Sequence, residues 1–171
     1  MTDNVNSEAT FEVHPSVVFK LGSDLITDDI QALAELIKNA YDADAKTVVM
    51  NIDTIGFHDE APDDVGFIDI LDAGTGMTED DLKRGWLTIS SSPKRAFKDA
   101  GKVTKLDRTP LGDKGLGRLG SQRLGDRITI LTTPEGQGVT HRLTFDWRDF
   151  HRYESLSEMK VTISSSPTHQ K

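Results

Sequence analysis

The sequence predicts an α+β fold, and three stretches carry that prediction. "ELIKNAYDADA" (35–45) closes a segment with helical apolar spacing. "KTVVMNID" (46–53) and "FIDILD" (67–72) are β-branched and read as strands, and "DRITILTT", "PEGQ" and "GVTHRLTFDW" (126–147) read as a hairpin. The chain has 171 residues, enough for one ordinary domain with a single core. Its 20 Lys and Arg against 28 Asp and Glu leave a net charge of −8, which speaks against gripping nucleic acid through the overall field. The lack of cysteine excludes disulfides and thiol chemistry and fits a reducing compartment. No apolar run approaches the ~20 residues of a membrane span, and the N-terminus lacks a signal peptide's basic and apolar regions. A cytoplasmic location without a membrane partner is expected.

Taken in order, residues 1–14 are a polar, loose arm, and 15–165 form the expected domain. "SVVFKLG" (16–22) reads as a short strand. Asp28 with Gln31 resembles a capping box, and Asp28 and Asp29 suit the positive end of a helix running to Tyr41 or Asp42. Ile30, Leu33, Ala34, Ile37 and Tyr41 form its expected core face. At ~100° per residue, Glu35, Asn39 and Asp42 fall within roughly 60° of one another, almost opposite that stripe. They are either a wet face or a site.

The strands 46–53 and 67–72 are expected to pair across "GFHDEAPDDVG" (56–66), a polar connection whose Asp59, Glu60, Asp63 and Asp64 read as solvated. Thr78 with Asp81 predicts a capped helix starting near Glu79. Residues 88–111 have no clear period and read as a mobile segment. A glycine-rich run from 112 then turns helical. After the hairpin, "MKVTISS" (159–165) is a further strand and 166–171 fray. The sequence shows no internal repeat or heptad array.

Gly115, Gly117 and Gly120 satisfy G-x-G-x-x-G. A dinucleotide site would need an apolar strand before them and an acidic residue ~20 positions on, and "KLDRTPLGD" is no such strand. What remains is physical: glycines opening a helix let backbone N–H groups approach an anion closely. A tight turn before a helix is the plainer reading of that run alone. Asp72 ends an apolar strand just before Gly74 and Gly76. Ionised, it accepts hydrogen bonds and cannot donate them, which suits the exocyclic amine of a purine or a capped turn. The five histidines have no zinc-like spacing, and Trp86 and Trp147 are expected to pack in or near the core.

"ELIKNAYDADA", then "DILDAGTGMTEDDL", then "LGDKGLGRLGSQRLGDRITILT" resemble, in that order, the motifs of the GHKL ATPases, over roughly residues 16–147. Within that superfamily the gyrase B, heat-shock chaperone and MutL branch fits best, and "GLGRLGS" looks like the lid of the chaperone and MORC-type members. A histidine kinase is a distant third, since His14 precedes Pro15 in no helical context. The resemblance implies a two-layer α/β sandwich: a mixed, mostly antiparallel sheet with helices on one face. ATP would lie between the helices and a lid at about 88–111.

It implies Glu35 as general base, Asn39 as magnesium ligand, Asp42 as a supporting group and Ala43 close to the adenine. Asp72 would take the adenine amine, with Gly74, Gly76 and Met77 bordering the base. Gly112, Gly115, Leu116, Gly117, Arg118 and Leu119 would wrap the phosphates. Lys114 and Arg118 would offset phosphate charge; Lys94 and Arg95 either do the same or are solvated lid charges. The implied cofactors are ATP and Mg2+, and the implied output is an ATP-dependent homodimer in a full-length protein. In that protein a downstream domain would supply a lysine to the terminal phosphate. Neither that domain nor a Gly-Thr-led strand is visible, so the resemblance implies an N-terminal piece or a short relative with weak turnover of its own. The alternative is a non-catalytic nucleotide-binding or dimerisation module.

Overall fold

The computed structural model describes residues 10–89, 93–112 and 115–168. Helix α1 (Ser16–Leu25) is followed by α2 (Asp29–Asp42), then by strands β1 (Val48–His58) and β2 (Ala61–Asp72). The short helix α3 (Glu79–Leu82) continues into a π-helical turn, Lys83–Leu87. Helix α4 (Pro93–Asp99) and a 3-10 helix (Gly117–Arg123) precede β3 (Arg127–Thr132), β4 (Val139–Asp146) and β5 (Ile163–Pro167). The result is an α+β fold with two open sheets, β1-β2 and β3-β4-β5. Every ladder among the described residues is antiparallel, so the parallel pairing of a mixed sheet is not found there.

Local chemistry explains the elements read correctly. Asp28 accepts from the Gln31 N–H at 2.8 Å and starts α2, while the Gln31 side chain reaches back to the Thr27 N–H rather than to Asp28 itself. Thr78 and Asp81 form the complete reciprocal box at α3. The predicted hairpin pairs Arg127 with Asp146 through Thr132 with His141. Its turn closes with the Gln137 N–H on the Pro134 carbonyl at 3.0 Å.

Other expectations are corrected. "SVVFKLG" is helical rather than a strand. Val18 and Gly22 face the 3-10 helix, and that tertiary contact outweighs the β preference of Val17 and Val18. The connection 56–66 is largely strand, because β1 and β2 run on to a tight turn at Asp59 and Glu60. Its acids are not all solvated, since Glu60 pairs with Arg142 at 2.5 Å and Asp64 with Arg127 at 3.0 Å, tying the two sheets together. The segment 88–111 contains α4. Ser166 and Pro167 belong to β5 instead of fraying.

The expected core face of α2 is also overturned. Ile30 is 79% exposed, and Ile37 and Tyr41 are exposed too, whereas Ala32 is fully buried and Ala40 nearly so. Gly117, at the start of the 3-10 helix, lies close to α2, where a Cβ would strike Glu35. The core itself centres on Val18, Leu119 and Trp147, with Phe19, Phe145, Phe150 and Leu156 packed around them. Phe145 meets Trp147 edge-on, ring centroids 4.9 Å apart. This cluster seats α1 and the 3-10 helix, and through them the glycine run against α2.

Candidate functional site

Of the polar edge of α2, Asp42 is enclosed and lines a cavity, Glu35 is half-buried and Asn39 is exposed. Asp42 has a side chain only 1% exposed. Its Oδ1 accepts from the Leu111 N–H at 2.7 Å, and its Oδ2 from the Gly112 N–H at 3.1 Å and the Lys94 ammonium at 2.8 Å. Lys94 also donates to Asn39 Oδ1 at 2.9 Å. One turn earlier, Glu35 accepts from Lys38 at 2.6 Å through Oε1. Its Oε2 lies so near Gly117 that a Cβ there would come within 2.4 Å of it. Glu35, Asn39, Asp42, Gly112 and Gly117 are therefore brought together.

The strand-to-loop segment after β2 joins the same end of α2. The Thr75 N–H donates to the Ala43 carbonyl at 2.8 Å. A Cβ on Gly74 would meet that carbonyl at 2.6 Å, the Ala43 side chain at 2.8 Å and Asp72 Oδ1 at 2.8 Å. Asp72 is exposed rather than buried, and its Oδ1 accepts from the Gly74 N–H at 2.8 Å, a capped turn. Met77 donates its N–H to Thr132 Oγ1 at 2.8 Å, and the Thr75 carbonyl accepts from Glu135 at 2.8 Å. Ala43, Asp72, Gly74, Gly76 and Met77 thus form one assembly braced on the β3-β4 hairpin.

Around the glycine run, Gly115 has a φ of 64°, and Leu116 and Leu119 pack on the core. Arg118 is buried, and its guanidinium donates to the Gly115 and Thr88 carbonyls, tying the run to the start of the segment 88–111. Burial lowers its pKa to about 10. Lys114, expected at the phosphates, lies outside the described residues, as do Ser90, Ser91 and Ser92.

The segment 93–112 roofs a cavity of about 450 Å³. Asp42, Lys94 and Thr75 line its polar side, and Phe97, Val103 and Pro110 its apolar side. Its volume falls within the roughly 300–1,000 Å³ of small-molecule sites. Asp72 stands outside that wall. Sequence reasoning missed several residues that hold the roof down. Arg108 donates to the Tyr41 and Ala45 carbonyls at 3.1 and 2.8 Å, and its guanidinium stacks on the Tyr41 ring. Asp44, at a φ of 63°, accepts from Thr104 Oγ1 at 2.5 Å and from the Leu106 N–H at 3.3 Å. The only sequence signal was the residue type, since Asp tolerates the left-handed conformation after a helix.

Among the described residues no group of three or more His, Cys, Asp or Glu could hold a metal by itself. A metal that keeps phosphate and water ligands needs less than that. Asn39 Oδ1 fits such an ion, because it already receives a cationic group, the Lys94 ammonium, at 2.9 Å. No helix among the described residues is long and apolar enough to cross a membrane.

The sequence model of the histidine kinase-, DNA gyrase B- and HSP90-like ATPases matches residues 28–170. The chain is also 31% identical over 160 residues to a protein of Desulfitobacterium hafniense (strain Y51) named chaperone protein HtpG. That match takes in 84% of this chain and 25% of the relative, so the chain spans about a quarter of its length.

Proposed function

Since the chain belongs to the family of histidine kinase-, DNA gyrase B- and HSP90-like ATPases, we propose that it binds ATP with magnesium and hydrolyses it as a nucleotide-driven conformational switch. One observation carries this reading: the polar edge of α2, the 72–77 loop and the glycine run converge beside a nucleotide-sized cavity. In this proposal Asn39 holds magnesium against the triphosphate, and the ion supplies charge neutralisation of the phosphates. Glu35 orients and deprotonates the attacking water. Asp42 fixes the Gly112 end of the glycine run, whose N–H groups face the phosphates. Asp72 accepts the adenine amine. The segment 88–111 is the lid of a domain spanning 15–165, and ATP shifts the population of its positions and the pairing of two such domains.

Asp72→Asn tests the binding half. Asn keeps an oxygen for the Gly74 N–H, so the turn survives, while the other acceptor becomes a donor facing a donor. ATP affinity in a magnesium-dependent titration should fall by about 10- to 100-fold. An unchanged affinity removes Asp72 from the base site, and a wild-type chain that binds no nucleotide sinks the proposal.

Gly117→Ala tests the placement of Glu35. The added Cβ would strike the Glu35 carboxylate, the mobile end of a side chain, so the acid should shift rather than the helix. Displacements near 1 Å can cost on the order of 10²-fold in rate. Single-turnover hydrolysis should drop by about 10-fold or more, with ATP affinity held within about 3-fold.

A further inference from the structure

Helix α4 carries an ammonium group into the crevice. Lys94 Nζ lies 2.9 Å from Asn39 Oδ1 and 2.8 Å from Asp42 Oδ2. The Asp42 side chain is 1% exposed, and the N–H groups of Leu111 and Gly112 take up its oxygens as well. A carboxylate this enclosed needs a counter-charge, and Lys94 supplies one. Asn39, by contrast, is exposed and carries no charge to be neutralised. Its amide oxygen nevertheless receives the same ammonium. Phe97, one turn further along α4, lines the cavity, so any movement of Lys94 off α2 moves a wall of the nucleotide space.

We propose that Lys94 occupies the seat of the divalent cation in the nucleotide-free protein, and that magnesium arriving with nucleotide displaces it from Asn39, loosening the hold of α4 on α2 to the ion pair with Asp42. The inference rests on the reading of Asn39 as the magnesium ligand. The chemistry is exclusive. Magnesium takes oxygen ligands at ~2.0–2.1 Å and cannot share one small amide oxygen with an ammonium group already in contact with it. Two like charges at that spacing also repel. The ammonium therefore reduces apparent magnesium affinity by the fraction of molecules in which the seat is free, and the lid position becomes linked to the metal.

The test is a magnesium titration of ATP binding, followed by fluorescence of a labelled nucleotide, on the full chain and on Lys94→Gln, Lys94→Met and Lys94→Arg. Removing the ammonium should lower the magnesium concentration for half-maximal binding by about 5- to 10-fold, with no gain in magnesium-free ATP binding. Lys94→Arg keeps a cation in place and should retain the wild-type midpoint. A generally damaged fold would weaken binding with and without metal alike, so the metal-specific shift separates displacement from a structural staple. Two neutral variants keep the test alive if one fails to fold. Wild-type binding with an unchanged or raised midpoint in the neutral variants overturns the role of Lys94 alone. A wild-type protein that binds no nucleotide at any magnesium concentration overturns this inference together with the reading beneath it.

Discussion

Glu35→Gln is expected to lower ATP turnover by about 10²- to 10³-fold while leaving nucleotide affinity within about 2-fold. The substitution preserves the shape of the side chain and an acceptor for Lys38, which now donates to Oε1 at 2.6 Å. It removes only the ability to take a proton. In the proposed reading that proton belongs to the attacking water, and losing a positioned base costs about 3 to 4 kcal/mol of transition-state stabilisation at 1.36 kcal/mol per tenfold. Glu35 is 29% exposed and sits against Gly117, so water can reach it without passing through the core. Single-turnover hydrolysis with enzyme in excess, beside an equilibrium titration of the same variant, provides the check. Equal rates for variant and wild type would turn the domain into a module that holds ATP without a catalytic base, and Glu35 into a partner of Lys38 alone.

What could be read from the sequence divides by how far apart the interacting residues lie. The start of α2 and the capping box of α3 depend on groups three positions apart, and the β3-β4 hairpin on strands joined by a short turn, and each is legible in the sequence. The angular grouping of Glu35, Asn39 and Asp42 is likewise local arithmetic. Which way that edge turns is not. Its partners Lys94 and Leu111 stand 52 and 69 positions from Asp42, and helical period supplies a face without saying what covers it. The apolar stripe of Ile30, Ile37 and Tyr41 therefore looks like the core side although Ala32 and Ala40 are the buried residues. For α1, two adjacent β-branched residues suggested a strand, while Gly22, where a Cβ would meet Leu119 O at 3.0 Å, marks where another helix presses in. Asp72 is legible as a special residue after a strand, but both readings of it, turn cap and purine acceptor, call for the same carboxylate at the same position.

Gly76→Ala should destabilise the protein by about 2–5 kcal/mol, the largest stability loss expected of a single methyl group here. Two separate costs add. Gly76 has a φ of 67°, where an L side chain loses roughly 1–2 kcal/mol. The new Cβ would also stand 2.1 Å from the Thr133 carbonyl oxygen and 2.7 Å from its carbon. Those are backbone atoms, so no side-chain rotation relieves the clash, and forcing the loop away from the hairpin costs about 1–3 kcal/mol more. Gly136 provides the control: its φ is 75°, but a Cβ there meets nothing within 4 Å. Gly136→Ala should pay only the conformational cost. At about 2–4 °C per kcal/mol for a chain of this size, Gly76→Ala should lower Tm by roughly 4–20 °C, about twice the drop for Gly136→Ala or more. The loss should not stop at stability. Gly76 lies between the Thr75 carbonyl, held by Glu135, and the Met77 N–H, held by Thr132, while the Thr75 N–H holds the Ala43 end of α2. Pushing residue 76 off the hairpin therefore pulls on the end of the helix that carries Asn39 and Asp42, and ATP affinity should fall in whatever fraction stays folded. Equal melting shifts for the two alanine variants would show that the loop does not press on Thr133, and the brace between the 72–77 loop and the hairpin would go with it.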